Sequence, residues 1–360
     1  MFDLNLIINK APYSISQAEK EQFYVESLSA ITKYHYEHCP EYRRIIDTLY
    51  RGETAALSIG DIPFIPVSLF KEYELLSIAK SAVTKTMTSS GTTGQRPSKI
   101  FLDKTTAFNQ SKVLTKLVSS FTGPKRLPML VVDTNLVTKD RNLFSARGAG
   151  VLGFSMVGYD VTFALTESMT IDLEKVQTFL KKHEGEQILI FGFTSIIWQH
   201  LYLELNRLGI TLPLERGVMI HGGGWKKLVE QAVDNDALKA RIHEVTGVSR
   251  IHNYYGMVEQ TGSIFIECSE GYLHASLFSD ILIRNVSNFE IMPVEEQGLI
   301  QLVSLLPLSY PGHSIITEDL GTIVGIDDCP CGRKGKYFKV HGRIKNAEVR
   351  GCSDTYEPRK

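Results

Sequence analysis

Met87-Thr88-Ser89-Ser90-Gly91-Thr92-Thr93-Gly94-Gln95-Arg96-Pro97-Ser98-Lys99 is a run of short hydroxyls and glycines that closes on cations. Glycines let a backbone turn tightly and come close to a ligand. Successive N–H groups and small hydroxyls on such a turn can cradle phosphate oxygens, with a cation at the far end. The spacing is not that of the common P-loop, which needs four residues between its glycines and Gly-Lys-Ser/Thr at its end. Here Thr92 and Thr93 alone separate Gly91 from Gly94. A Ser/Thr-rich surface turn is the plain alternative for the run taken by itself. The flanking pattern decides between them.

That pattern alternates. Ser16-x-x-Glu19 is a capping box, and Tyr24, Leu28 and Ile31 follow at helical spacing, so a helix is expected up to Pro40. Tyr42, Ile45, Ile46 and Leu49 predict a second helix, with His35, His38 and Cys39 read as packing or surface groups rather than a metal set. A strand over 82–87 leads into the glycine run. Beyond it come a helix near 107–119, a strand at 129–133, an irregular or strand-like segment at 151–165 and a helix bearing Leu173, Val176 and Leu180. A strand at 187–191 precedes a helix capped by Thr194 and ended by Gly209. A strand at 218–221, helices marked by Leu228, Ala232, Leu238 and Ile242, and a strand at 250–253 complete the series. Strands alternating with helices of this length predict parallel βαβ units, whose ligands collect at the carboxyl ends of the strands. Past Gly262 the texture changes to short strands at 264–267, 281–284, 299–303 and 315–317. The expected organisation is an α/β body over 1–262, a smaller β-rich lobe over 263–346 and a short tail over 347–360.

Composition narrows the class. A formal net charge of −1 and a pI near 6.8 argue against a general electrostatic grip on nucleic acid or anionic membrane. The longest apolar runs, such as 188–193, are strand-sized, so no membrane span is expected. Met1-Phe2-Asp3-Leu4-Asn5-Leu6 lacks the basic start and apolar core of a signal peptide. Five cysteines, at 39, 268, 329, 331 and 352, are an odd number, which fits a reducing compartment and ligand or nucleophile roles. The expected location is the cytoplasm.

Four blocks in order carry the chemistry. After the run at 88–94 comes His221-Gly222-Gly223-Gly224-Trp225 between a strand and a helix, then Asn253-Tyr254-Tyr255-Gly256-Met257-Val258-Glu259. Thr317-Glu318-Asp319-Leu320-Gly321 and His341-Gly342-Arg343-Ile344-Lys345-Asn346 follow. Together they resemble the signature of the adenylate-forming superfamily, the acyl-CoA ligases and related acid-activating enzymes.

The resemblance implies an α/β fold of the adenylate-forming N-terminal-domain type, with mostly parallel layers and a β-rich lobe. It implies ATP and AMP as ligands. Ser89, Ser90, Gly91, Thr92, Thr93 and Gly94 would hold phosphates, assisted by Lys99, with Arg96 able to reach the same oxygens. Gly222, Gly223 and Gly224 would let adenine lie on bare backbone, with His221 a further pocket candidate. Tyr255, followed by Gly256, would stack on the ring. Glu259 would hold Mg²⁺, which prefers one or two carboxylates plus phosphate oxygens. Asp319 would accept hydrogen bonds from the ribose hydroxyls, and Arg343 would contact the nucleotide.

The chain departs from the superfamily pattern at Gln95-Arg96-Pro97-Ser98-Lys99, where residues are added. It departs again at Val258 in place of a hydroxyl that Thr261 could supply, at Glu318 in place of glycine, and at Asn346 in place of the hinge aspartate. The sequence stops at residue 360, so the usual mobile C-terminal domain is expected to be absent.

Two features narrow the branch. Ser89–Thr92, Gly222–Lys226, Ser309–Pro311 and Gly351-Cys352 are similar to the acyl-protein synthetases of bacterial bioluminescence fatty acid reductase complexes. That resemblance implies formation of acyl-AMP, transfer of the acyl group to Cys352, and delivery to a partner reductase. Arg350 would favour the Cys352 thiolate. Cys268-x5-His274 with Cys329-Pro330-Cys331-Gly332-Arg333 offers three thiols and an imidazole, a donor set suited to tetrahedral structural zinc. Similar Cys-Pro-Cys-Gly-Arg segments occur in phenylacetate–CoA ligase-like proteins. The alternatives are an acid–CoA or amide ligase sharing the first step, and a non-catalytic nucleotide-binding partner protein. Phe191, Phe193, Trp198 and Tyr254 either line an apolar acyl pocket or form plain core.

Overall fold

A computed structural model describes residues 3–89, 96–139 and 146–344. Its strands in chain order are β1 (Ile65–Pro66), β2 (Lys85–Thr88), β3 (Lys99–Leu102), β4 (Leu127–Thr134), β5 (Gly158–Leu165), β6 (Ile188–Phe193) and β7 (Gly217–Gly222). There follow β8 (Arg250–Tyr255), β9 (Phe265–Glu267), β10 (Leu273–His274), β11 (Ser279–Arg284), β12 (Gln297–Ser304), β13 (Ser314–Ile326) and β14 (Lys336–Arg343). The chain divides into two compact units.

One unit holds residues 118–255 and carries the expected series of parallel βαβ units. Its strands run in the order β8-β7-β6-β4-β5, every neighbouring pair parallel. All residues of β6 and β7 are buried, which is why these strands read as near-continuous apolar runs rather than alternating ones. The crossover helices start and stop on local signals. Asp172 and Asp234 accept the backbone N–H groups of Lys175 and Ala237, and Gly209 and Gly247 close helices in the left-handed conformation.

Two local expectations are corrected here. The segment at 151–165 begins inside a helix, Ala146–Ser155, before β5. Its glycines hide the helical signal, yet one is needed for packing: a Cβ on Gly150 would come within 3.0 Å of the Phe193 ring. Thr194 does not cap its helix. Phe193 occupies that position, and the Thr194 hydroxyl is spent elsewhere.

The other unit joins residues 3–89, 96–117 and 256–344. Its strands run in the order β11-β12-β13-β14-β10-β9, antiparallel throughout, with β1 pairing parallel to β13 and β2–β3 forming a separate antiparallel pair. The expected boundary at 262 thus gives way to a different grouping, because the N-terminal segment belongs with the β-rich strands. The helix Gln17–His38 begins with the expected capping box and sends a row of side chains into them. Lys20 Nζ donates to Ser279 O (2.6 Å) and pairs with Asp280, and the Tyr24 hydroxyl donates to Leu277 O (3.1 Å). Thr32 and His35 reach His313 and Pro307. These long-range partners have no short-range sequence signature.

Candidate active site

The base of the glycine run is set by the β2–β3 pair, which places Thr88 opposite Lys99. Ser89 N–H donates to Ser98 O (3.1 Å), and Ser98 N–H donates back to Ser89 Oγ (2.9 Å). Lys99 and Arg96 are exposed at this base. Ser90, Gly91, Thr92, Thr93 and Gly94 lie outside the described residues, as do Lys345, Asn346 and Cys352.

Glu259 sits on a short 3-10 turn, Val258–Gln260, and is buried. Its Oε1 has no hydrogen-bond partner among the described residues. A buried carboxylate oxygen left unpaired is costly and fits a site completed by a cation. The turn's backbone is held tightly. The Tyr310 hydroxyl donates to Glu259 O (2.9 Å), Gln260 Nε2 donates to Leu302 O (3.1 Å) and Gly312 O (2.8 Å), and Thr261 Oγ1 donates to Val258 O (2.7 Å). Thr261 therefore spends its hydroxyl locally in this structure.

Asp319 and Arg343 are cross-strand partners on β13 and β14, with Arg343 Nε 3.4 Å from Asp319 Oδ1. Neither side chain is fully buried. Two residues far apart in sequence, each expected at the nucleotide, are thus brought together as a carboxylate and a guanidinium on one sheet face.

In the parallel α/β unit the carboxyl ends of β6, β7 and β8 carry the glycine triplet and its aromatic neighbours. Gly222 closes β7, and a Cβ there would stand 2.5 Å from the Tyr254 ring, so only glycine lets that ring cross the strand end. Gly223 has φ +82°, a conformation glycine adopts without strain. Thr194 Oγ1 lies 3.0 Å from His221 Nδ1 and 3.1 Å from Gly222 O, tying the first turn after β6 to the end of β7. Burial pushes the His221 imidazole down to about 3, so it is neutral at pH 7, and its Nε2 has no partner among the described residues. Tyr255, the expected stacking residue, ends β8 and is partly buried.

The four aromatics singled out as pocket or core pack largely on one another. Phe191 stacks on Phe154 at 4.1 Å and lies 6.4 Å from Tyr254, and Phe193 meets Phe191 edge-on at 5.7 Å. Trp198 instead contacts Tyr202 and Trp225. Trp198 and Tyr202 lie on a π-helical stretch, Ile197–Tyr202, of the kind that recurs at functional sites.

Cys268, His274, Cys329 and Cys331 converge, their ligand atoms all within 4.8 Å of one another. Cys268 and Cys329 sulfurs are 3.9 Å apart, and Cys331 Sγ is 3.4 Å from His274 Nε2. Tetrahedral zinc with Zn–S bonds of about 2.3 Å spaces its sulfurs by about 3.8 Å, so the set fits the ion. Burial pushes the Cys329 thiol up to about 12 and the His274 imidazole down to about 4. Neutral imidazole is the form that binds metal, and a cation would draw the thiols to thiolates. The N-terminal segment joins this cluster with no motif to announce it: Tyr13 packs edge-on against His274, and its carbonyl accepts from Lys334 N–H.

Sequence reasoning singled out Glu259, Asp319 and Arg343 but missed the groups that hold Glu259. Gln260 follows it directly, and Tyr310 stands some fifty residues further on with no local signal of the contact.

The family described as acyl-protein synthetase, LuxE, matches residues 2–359. A long-chain-fatty-acid–luciferin-component ligase of Vibrio harveyi is 24% identical over 364 residues, covering 97% of this chain and 91% of that protein. A phenylacetate–coenzyme A ligase of Thermus thermophilus is 25% identical over 326 residues, covering 86% of this chain and 66% of that protein. Among solved structures, an open conformation of 2-hydroxyisobutyryl-CoA ligase superposes with a TM-score of 0.72 at 15% identity, covering 94% of this chain and 77% of that one. The last likeness establishes the shared adenylate-forming fold.

Proposed function

The chain belongs to the acyl-protein synthetase (LuxE) family, and from that premise we propose that it activates a long-chain fatty acid with ATP and passes the acyl group to its own Cys352. The observation that carries the reading is the buried Glu259 carboxylate with its unpartnered oxygen, in the same unit as the Asp319–Arg343 pair. In the first step a carboxylate oxygen of the acid attacks the α-phosphorus of ATP, and pyrophosphate leaves. In the second the Cys352 thiolate attacks the acyl carbonyl, a thioester forms and AMP leaves. A partner reductase is the proposed final acceptor.

Roles follow residue by residue. Ser89 to Gly94 and Lys99 take the phosphates. Gly222, Gly223, Gly224 and Tyr255 take adenine, and Asp319 accepts from the ribose hydroxyls while Arg343 neutralises nearby charge. Glu259 holds Mg²⁺, which when bound would offset phosphate charge. Cys268, His274, Cys329 and Cys331 hold a structural zinc ion that clasps residues 11–17 to β10 and the turn before β14. Elemental analysis of purified protein is expected to find about one zinc per chain; folded protein without metal would remove that assignment.

The test of the main reading is acid-dependent ATP–pyrophosphate exchange with a panel of aliphatic and aromatic acids, wild type beside Cys352→Ala. Exchange in both, with radioactive acyl label retained on wild type alone, is the expected result. The likeness to phenylacetate–CoA ligase favours a second reading, transfer to coenzyme A. Under it no label stays on the protein and a CoA thioester appears instead. Mg-ATP binding without exchange for any acid would leave a nucleotide-binding module.

A further inference from the structure

A buried polar frame grips the backbone around Glu259. The Tyr310 ring is fully buried, edge-on to Phe70, with its hydroxyl 2.9 Å from Glu259 O. Gly312 makes that approach feasible, since a Cβ there would lie 2.3 Å from the Tyr310 ring and 2.7 Å from the same Glu259 carbonyl. On the other side of the turn, Gly262 has φ +87°, and a Cβ on it would strike the Gln110 backbone at 2.8 Å. Gln260 ties the turn to Leu302 and Gly312. Segments distant in sequence therefore close on one turn.

From this geometry we infer that Tyr310 is a positioning residue for the metal-holding carboxylate: its hydroxyl fixes the backbone from which Glu259 projects, and Gln260 ties the same turn to Gly312. The inference rests on the reading that Glu259 holds Mg²⁺. Outer groups that orient a ligand rather than touch the metal commonly change metal affinity by about 10- to 100-fold when removed. The Phe70–Tyr310 contact and the glycine at 312 allow the ring to stay in place when only the hydroxyl is deleted.

The test compares wild type, Tyr310→Phe, Tyr24→Phe and Glu259→Gln. Mn²⁺ binding is counted by electron paramagnetic resonance in the presence of a non-hydrolysable ATP analogue, and the Mg²⁺ dependence of exchange is measured beside it. Tyr24 is the matched control, another buried hydroxyl of the same unit that donates to a backbone carbonyl, Leu277 O. Tyr310→Phe is expected to weaken Mn²⁺ binding by about tenfold and to raise the Mg²⁺ needed for half-maximal exchange equally, with the KM for the acid unchanged. Tyr24→Phe is expected to change neither. Should Tyr310→Phe not fold, Gln260→Met, which releases the turn from Leu302 and Gly312, is expected to shift both readouts the same way. Mn²⁺ affinity in Tyr310→Phe equal to that of wild type or of Tyr24→Phe overturns the inference. Wild-type Mn²⁺ affinity in Glu259→Gln overturns the underlying metal assignment, whatever Tyr310→Phe does.

Discussion

Asp319 enters the site already engaged, because β13 and β14 set Arg343 opposite it at 3.4 Å. A carboxylate so partnered keeps oxygen lone pairs for a second donor, as carboxylates accept several hydrogen bonds at once. Asn at this position keeps the size but loses the charge and half the acceptor capacity. Hydrogen bonds to a charged acceptor contribute about 1.5–3 kcal/mol, so Asp319→Asn is expected to raise the KM for ATP by about 10- to 100-fold with little change in the KM for the acid. Exchange kinetics decide it: a change confined to the acid would remove the ribose role. Gly222 is a residue of a different kind, defined by what it leaves out. Its missing Cβ is the space the Tyr254 ring occupies, so Gly222→Ala is expected to cost about 1–3 kcal/mol of stability by overpacking and to weaken nucleotide binding together. Urea unfolding and Mg-ATP titration of tryptophan emission measure the two, the chain having two tryptophans, Trp198 and Trp225, in contact near this turn.

At the scale of elements, the Cys/His cluster stitches segments that the backbone alone joins weakly. β10 spans Leu273–His274 and pairs with β9 and β14 over few residues. Around it, Leu277 N–H donates to Pro12 O (2.7 Å), and Gln17 N–H donates to the Asp327 carboxylate (2.9 Å). Cys329→Ser, or chelation, is expected to release hydrogen-exchange protection first at residues 11–17 and 268–277, with a lower melting temperature. Uniform loss across the chain would argue against a local clasp. The elements also show what a sequence can reveal. The parallel strands β4, β6 and β7 were legible because burial on both faces leaves long apolar runs between helical patterns. β10 and the helix Ala146–Ser155 were not, the first being too short for any periodicity and the second being diluted by glycines, of which Gly150 makes room for Phe193. The blocks around Asp319 and Glu259 and the Cys/His set stood out in the sequence as motifs. The Tyr310–Gln260–Gly312 frame did not, since its meaning lies in distances between segments far apart in the chain.

For the molecule as a whole, buried neutral histidines set the response to acid. In the β-rich unit His35 and His313 stack at 5.0 Å with both rings fully buried. Thr32 donates its hydroxyl proton to Leu28 O (2.8 Å), so it accepts from His313 Nε2–H, and His313 Nδ1 has no partner among the described residues. His35 is likewise fixed as the Nε2–H tautomer, donating to Pro307 O and accepting from Ser77. Burial holds His35 down at about 3 and His313 well below the usual imidazole range, and in the α/β unit it holds His221 at about 3. Unfolded histidines protonate near pH 6.5, so below that pH the unfolded chain binds protons that the native chain refuses. Stability therefore falls as pH drops from about 6.5 toward 3, by up to about 1.4 kcal/mol per pH unit for each such histidine. His183 works in the opposite sense. Burial pulls its pKa down, but hydrogen bonds to Asp160 (2.7 Å) and Glu186 (2.9 Å) outweigh that and leave it raised. Its contribution is complete below the unfolded pKa and is lost as pH rises through the folded one. Urea midpoints taken from pH 5 to pH 8 should therefore rise with pH in wild type and rise less in His313→Gln, whose core no longer resists a proton. In His183→Gln they should rise more steeply, because the term that falls with pH is gone. Equal slopes in all three would mean that these imidazoles do not govern the acid response.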